Sequence, residues 1–333
     1  AFKVNPQLGY STAAIGKWHL ADRRNGWDQH PHIVGFDHFS GMINGVTESF
    51  FAWNKTVNGE WSVATGYTPD EKTNDAIEWI TERGDKPWFL WMAYNLGHTP
   101  LHLPPENRWR SDWSHIDPQA DPNEDRLAYF NMMLESLDVQ VELLLDALSP
   151  EVRANTYVIF MGDNGTGGRT IRPPVVQGKA KGSVYQGGVN VPLFVTGPGV
   201  ANGSTDALVN STDMFMTIME MAGIDASESV PSQVTHDSVS FLPYLSDPSL
   251  ESMRDFAYVD VFRGNFAGVA GADVAIRNDQ YKLVRHEGDF ELYDLSADPW
   301  EHNNLLEGGE LNGEQQAQHD ALLVQVTELR ASS

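Results

Sequence analysis

The sequence contains no cysteine. That absence excludes disulfides, thiolate metal sites and a cysteine nucleophile. It also has no apolar run near the roughly 18 residues that a membrane span needs, so no membrane partner is expected. Its first residues, AFKVNPQLGY, lack the basic and apolar regions of a signal peptide. Localisation therefore stays unknown: cytoplasmic as the chain stands, exported if an upstream segment carries a signal. Basic residues are scarce, with 22 Lys and Arg against 46 Asp and Glu and a net charge of -24. Nucleic acid and anionic surfaces are poor partners for such a chain. The acidic residues are spread along the whole length, which reads as a solvating surface, with a divalent-cation preference as the alternative.

What is present fits a globular α/β protein. The chain has 333 residues, 10 Trp and 15 Phe, ample for a large core. DEKTNDAIEWITER at 70–83 has the periodicity of an amphipathic helix, with Ile77 and Ile80 on one face. WFLWMAYN at 88–95 is a continuous apolar run of strand length, predicted to be a buried parallel strand. A helix is predicted over 123–148, with an apolar stripe of Leu127, Leu134, Leu137, Val141 and Leu144. TYVIFMG at 156–162 and VPLFVTG at 191–197 read as further buried strands, and Ser211 is placed to cap the helix that Gly223 ends. Beyond residue 250 the pattern changes to short strands, AYVDVF, DVAIRN, YKLVRH and FELYDL, joined by turns at Arg263-Gly264-Asn265 and Glu287-Gly288-Asp289 and followed by a helix near 313–331. The expected organisation is a mostly parallel sheet with helices on both faces over 1–250, and a small antiparallel sheet with a terminal helix over 251–333.

Ligands in such a sheet bind beyond the C-terminal strand ends. His98 follows one predicted strand, Asp163 and Asn164 follow another, and Lys179 and Lys181 lie in the loop that leads to the third. Lys17 and His19 sit in an early Gly-rich turn. Together they offer oxygen ligands for a hard cation, imidazoles that titrate near neutrality, and cations for an anionic substrate. That set suits an ester of sulfate or phosphate. Each piece alone has a plainer reading: Asp-Asn-Gly as a turn, His98 as structural, the lysines as a solvated loop.

Several segments resemble the sulfatase family of the alkaline phosphatase superfamily. GYSTAAIGKWHLAD at 9–22 is similar to the family's Gly-Lys-Trp-His-Leu signature, and GFDHFSG at 35–41 to the segment after it. WFLWMAYNLGHTPLHLP at 88–104 resembles the strand that ends in Pro-His-x-Pro, and YVIFMGDNG at 157–165 the Asp-Asn-Gly strand end. KGSVYQGGVNVPLFVTGPG at 181–199, HDSVSFLPYL at 236–245 and ELYDLSADPWEHNNL at 291–305 are similar to later blocks, in family order. The resemblance implies the alkaline-phosphatase-like α/β fold and hydrolysis of sulfate or related esters. It implies Asp163 and Asn164 as metal ligands, His98 as proton donor to the leaving oxygen, Lys181 as a sulfate contact, and Lys17 and His19 beside the nucleophile. Gln186 and Asn190 depart from the family's usual Glu and Arg.

The family's formylglycine nucleophile and two further metal-binding Asp residues belong to a block upstream of Gly9. Only eight residues precede Gly9, and none is Ser, Cys or Asp. The expectation is therefore a reduced site without formylglycine. Calcium takes roughly six to eight oxygens, which two residues do not supply. Zinc needs about four ligands and accepts imidazole, so Asp163 with His19 or His98 is the alternative. Either ion lowers the pKa of a bound water. The leading expectation is a promiscuous metal-dependent hydrolase of activated sulfate, phosphate or phosphotriester esters, with water as nucleophile. The alternatives are a silent fragment and a truncated reading of a full arylsulfatase. Loss of a central strand would leave a sheet edge for a second copy to fill, so a homo-oligomer is expected. Trp53, Trp61, Trp109 and Trp113 are candidates for a sugar-stacking wall, with core packing the competing fate.

Overall fold

A computed structural model describes residues 8–331, apart from 46, 226–228, 232 and 263–271. The predicted turn at Arg263-Gly264-Asn265 lies outside the described residues. The chain divides into two compact units, Ala1–Asn155 and Thr156–Ser333. The change of strand pattern near residue 250 falls within the second of them.

The first unit is built on a five-stranded sheet in the order β4-β3-β2-β1-β5. Its strands are β1 (Ser11–Lys17), β2 (His38–Met42), β3 (Trp53–Val57), β4 (Glu60–Ala64) and β5 (Trp88–Ala93). β1 runs parallel to β2 and to β5, while β3 and β4 form an antiparallel hairpin at the far side. Two glycines permit this packing at the strand ends. A Cβ on Gly16 would lie 2.0 Å from the Ala93 carbonyl oxygen, and one on Gly41 1.9 Å from that of Gly16. The sheet alternates sides as strand geometry requires. Ala13 and Ile15 meet Ala76, Trp79 and Ile80 on one face, while Ala14 joins Trp18, Phe39 and Ile43 on the other. Burying Trp79 or Ile80 contributes on the order of 1.5–3 kcal/mol each.

The short helix α1 (His30–Ile33) precedes β2, and α2 (Thr68–Thr81) matches the predicted amphipathic helix. Its buried stripe is Lys72, Thr73, Ala76, Trp79 and Ile80, and Ile77 is only half-buried. α3 (Arg126–Asp146) also forms as expected, but with a different face inward. Ala128, Tyr129, Met132, Met133, Ser136, Val139 and Gln140 are buried, while Leu134 is exposed. The polar members of this stripe have partners. Ser136 Oγ lies 3.1 Å from Tyr67 Oη, and Gln140 Nε2 donates to Asp70 Oδ1. A leucine count cannot weigh those bonds, and satisfied polar groups bury readily. β5 is parallel as expected but not buried: every residue is half-buried or exposed, Trp91 most of all. Among the described residues it is the sheet's last strand, paired with β1.

The second unit starts with α4's neighbour in sequence, β6 (Val158–Met161), α4 itself being Pro150–Ala154. β6 pairs with β7 (Leu193–Thr196) as an antiparallel two-stranded sheet, which corrects the expectation of two buried parallel strands. Phe160 and Phe194 stand exposed on it. Apolar composition signals a strand but carries no information on its direction. Between them lies α5 (Gln186–Val189), and α6 (Met214–Met221) and α7 (Leu242–Ser246) follow. α6 is entered through a 3-10 turn capped by Asn210, whose side chain accepts from Thr212 N and whose backbone N–H donates to Asp213. Asn210 therefore takes the cap predicted for Ser211. Gly223, at φ 69, ends the helix as expected.

β8 (Ala257–Val261), β9 (Asp273–Arg277), β10 (Tyr281–His286) and β11 (Asp289–Asp294) form the predicted antiparallel sheet in sequential order. Glu287 and Gly288 make its tight turn with φ of 53 and 105. The terminal helix α8 (Gly313–Ala331) packs Leu322 and Val326 on Val274, Ile276, Leu283 and Leu292. The architecture is α/β, with parallel pairing at the core of the main sheet and a small C-terminal antiparallel sheet with a terminal helix. No helix among the described residues is long and apolar enough to cross a membrane.

Candidate active site

In the first unit the candidate residues sit at the C-terminal ends of the parallel strands. Lys17 is the last residue of β1, and Trp18 and His19 follow it. The three alternate. Trp18 is buried, donating its indole N–H to His30 Nδ1 at 3.0 Å and meeting Phe36 and Phe39 edge-on. Lys17 is half-buried and His19 exposed. His19 has φ 55, an uncommon conformation for a non-glycine residue, and its N–H donates to Ile43 O at 3.0 Å. Gly45 leaves room for its ring, since a Cβ there would fall 2.3 Å from the imidazole. Trp18 is thus the anchor, and the residues on either side of it are the more accessible ones.

His98 lies in the turn beyond β5. Its N–H donates to Asn95 O at 3.1 Å, and its Nδ1 lies 2.9 Å from Thr99 O. That contact places the proton of the neutral ring on Nδ1, with Nε2 as its acceptor nitrogen. His102, the second histidine of this segment, has a different fate. It stacks on Phe50 at 4.2 Å between centroids, lies 3.2 Å from Tyr67 Oη, and burial depresses its pKa to about 4. It is a neutral packing residue.

In the second unit Asp163 and Asn164 follow β6, with Asp163 exposed and Asn164 donating to Gly165 O at 3.0 Å. Gly165 N donates to Gly188 O at 2.9 Å, and Lys181 N to Thr166 O at 3.1 Å. These bonds bring the Asp163-Asn164 turn alongside the loop that carries Lys181, which is exposed. The approach is so close that a Cβ on Gly165 would sit 1.9 Å from Gly187 O. Gly187 and Gly188 are crowded in turn by the carbonyls of Lys179 and Ser183.

Lys179 does not join Lys181. Its ammonium lies 4.5 and 4.7 Å from the ring centroids of Tyr185 and Tyr293, and donates to Tyr293 Oη at 3.0 Å and to Glu301 O. Both tyrosines donate to Glu291 Oε2, and burial with that carboxylate pushes their pKa values up. Gln186 belongs to the same network. Its N–H donates to Glu301 Oε2 at 2.6 Å, and Glu301 pairs with the buried Lys282 at 2.6 Å. A carboxylate at 186 would put a second negative charge against Glu301, so a neutral side chain there fits its surroundings.

Sequence reasoning missed two groups. One is the Lys282–Glu301 pair, whose members lie far apart in the chain. The other is Lys72, fully buried on α2, with Nζ 2.6 Å from Asn95 Oδ1 and 3.8 Å from Met42 Sδ. Its signal was visible, because position 72 shares a helix face with Ala76, Trp79 and Ile80. Of the four tryptophans, Trp53 is buried, Trp61 is exposed, and Trp109 and Trp113 donate to Pro104 O and Glu135 Oε2.

Asp163 and Asn164 offer two oxygen donors. Among the described residues, no three His, Asp or Glu side chains cluster so as to hold an ion. These donors alone fall short of either a calcium or a zinc shell.

The sulfatase family model matches residues 4–224, and the model of the N-sulphoglucosamine sulphohydrolase C-terminal region matches residues 180–329. An uncharacterised sulfatase of Escherichia coli K12, YdeN, is 27% identical over 311 residues, covering 84% of this chain and 52% of its own length. The ulvan-active sulfatase of Formosa agariphila is 25% identical, covering 90% and 60%. The chain thus spans between half and two thirds of the length of these curated relatives. Among solved structures, Ps i-CgsB in complex with k-i-k-neocarrahexaose superposes with a TM-score of 0.78 at 22% identity, over 98% of this chain and 73% of that one. With about two thirds of its residues matched by one family model, the chain belongs to the sulfatase family.

Proposed function

We propose that this chain carries the leaving-group side of a sulfate-ester hydrolase. The observation that carries the reading is His98, whose Nδ1 is committed to Thr99 O so that Nε2 is the nitrogen left to protonate a departing oxygen. Lys181, exposed beside the Asp163-Asn164 turn, supplies a cation for the sulfate oxygens. Lys17 and His19 supply further positive or proton-bearing groups at the end of β1. Similarity to an ulvan-active sulfatase and to a structure in complex with k-i-k-neocarrahexaose favours a sulfated carbohydrate over a phosphate ester as the class of substrate. A divalent cation held at Asp163 and Asn164 would need ligands beyond those two residues.

The finer reading is that the chain by itself turns over activated sulfate, phosphate or phosphotriester esters with water as nucleophile. A residual rate on the order of 10³ over water survives removal of the nucleophile in serine hydrolases, through binding groups alone. The test is hydrolysis of p-nitrocatechol sulfate, p-nitrophenyl phosphate and paraoxon by the purified chain, with and without EDTA, and by His98→Ala. The expected result is sulfate-ester turnover that falls at least tenfold in His98→Ala, on the order of a general acid's contribution. Turnover equal in both proteins refutes the role of His98, and none in either refutes the finer reading. Association of two copies along β5, the last strand of its sheet among the described residues, also belongs to the proposal, and sedimentation velocity tests it.

A further inference from the structure

Lys72 is an unusual group to find in a core. Its side chain is fully buried, and among the described residues neither a hydrogen bond nor an ion pair joins its Nζ to a carboxylate. Its neighbours come from every element packed around it. β1 brings Lys17, whose charge opposes it. β2 brings the Met42 sulfur. β3 brings the Trp53 ring, 5.6 Å from Nζ, and Lys55, which is itself paired with Glu71 and Asp75 of α2. Asp75, which also bonds Ser40, acts on Lys72 as an opposite charge that works against the fall in its pKa. The segment after β5 brings Asn95 and Tyr94, the latter bonded to Thr73. Facing α3, Gln140 and Arg108 hold Asp70.

Lys72 Nζ therefore lies where β1, β2 and β5 end. It donates to Asn95 Oδ1 at 2.6 Å, while Asn95 Nδ2 approaches Met42 Sδ at 3.6 Å. Asn95 O in turn accepts the His98 N–H, and Met42 O accepts the Trp18 N–H between Lys17 and His19. One ammonium thus contacts the end of β2, which accepts the N–H between Lys17 and His19, and the segment after β5, which leads to His98.

We propose that Lys72 is a positioning residue for this half of the site, its proton deciding whether Asn95, and with it the turn bearing His98, is locked to the ends of β1 and β2. The inference rests on the reading of His98 as a site residue. As an ammonium, Lys72 makes a charge-assisted bond to the Asn95 carbonyl and opposes Lys17. As an amine it is a weaker donor with a free lone pair, which accepts from Asn95 Nδ2 and lets the amide turn over. Burial, with the Lys17 charge added, brings the Lys72 pKa down to about 7, so both states are populated near neutral pH. The locked state is the one below about pH 7.

The test follows the Asn95 side-chain amide and the His98 imidazole by NMR from pH 5.5 to 9 in the wild type, Lys72→Met and Asn95→Asp. The expected result is an inflection near 7 in the Asn95 amide, lost in Lys72→Met. In Asn95→Asp a carboxylate faces the ammonium, and the corresponding inflection at His98 moves up by a unit or more. A wild-type Asn95 amide that is flat over the whole range overturns the proposal, as does an inflection that survives in Lys72→Met. If Lys72→Met fails to fold, the wild-type and Asn95→Asp titrations decide. A kinetic arm uses p-nitrocatechol sulfate. Lys72→Met is expected to lower kcat about tenfold with KM within twofold, and to remove the inflection near 7 from the pH profile. A merely structural role would leave the shape of that profile intact and overturns the proposal. If the wild type shows no turnover, the hydrolase reading fails, and the NMR arm still decides the role of Lys72.

Discussion

Replacing Glu301 by Gln tests the buried network that holds the Lys181 loop. Glu301 is fully buried and at φ 62, with one carboxylate oxygen on Gln186 N and the other on Lys282 Nζ, both at 2.6 Å. Glutamine keeps the size and one acceptor but removes the charge. Lys282, 1% exposed, is then left with Gln186 Oε1 at 3.4 Å and no counter-ion. Breaking a buried pair in this way costs about 3–5 kcal/mol. The lysine limits the loss by releasing its proton. At pH 6.5 deprotonation from its ordinary pKa of 10.5 costs about 5 kcal/mol, and at pH 9.5 about 1.4 kcal/mol. Burial already depresses Lys282 to about 8 with Glu301 present, and removing Glu301 depresses it further. A lysine whose folded pKa is lowered destabilises the fold fully below that pKa, and the effect fades as pH rises toward the unfolded value. The variant is therefore expected to lose about 3–5 kcal/mol at pH 6.5 and only about 1 kcal/mol at pH 9.5, where the wild-type lysine is also neutral. Urea unfolding followed by tryptophan fluorescence at the two pH values measures this. Adding Lys282→Met should recover most of the loss at pH 6.5, since replacing both partners is often neutral. A loss below about 1 kcal/mol at pH 6.5, or one that does not change with pH, refutes the reasoning.

Lys72→Met should behave in the opposite sense. It removes an ammonium whose pKa is depressed from 10.5 to about 7, so it is expected to stabilise the chain by about 2–4 kcal/mol at pH 6 and by about zero at pH 9, after a loss of about 1–3 kcal/mol for the Asn95 bond; parallel stability profiles between pH 6 and 9 would contradict this. Gly165→Ala forces a Cβ to within 1.9 Å of the Gly187 carbonyl, and a fall of about 1–3 kcal/mol in thermal or urea stability is expected. Lys181→Ala should leave the melting temperature unchanged and weaken binding of inorganic sulfate in a calorimetric titration. Lys179→Met should do the reverse, costing about 1–2 kcal/mol of stability through loss of its contacts with two tyrosine rings.

Much of this fold was legible because each signal was local. α2, α3 and α8 lie where the sequence puts them, while Gly16 and Lys17, in a segment that reads as a Gly-rich turn, close β1. The inward face of α3 was not legible, because Ser136 and Gln140 bury through bonds to Tyr67 and Asp70, each from a distant segment. The pairing of β6 with β7 was misjudged for a related reason, since two apolar runs look alike whichever way they face. Of the candidate residues, His98 and Asp163 stand out by their place after strands and Lys181 by the loop that leads to β7. Lys72 was passed over because a lysine in an amphipathic helix is ordinarily taken for the solvent side. Its register with Ala76 and Ile80 spoke against that reading.

The loop from Gly178 to Gln186 carries two lysines that would look equivalent to any count of charge. One lies against two tyrosine rings and bonds to Glu301 O, and the other is exposed. Their chemical reactivities must therefore diverge. An amine-directed acylating reagent meets a free side chain at Lys181, but at Lys179 it must first pull an ammonium out of its bonds to Tyr293 and Glu301. Mild acylation would mark one of the two and spare the other, and peptide mapping of the modified chain would show whether this part of the second unit is folded.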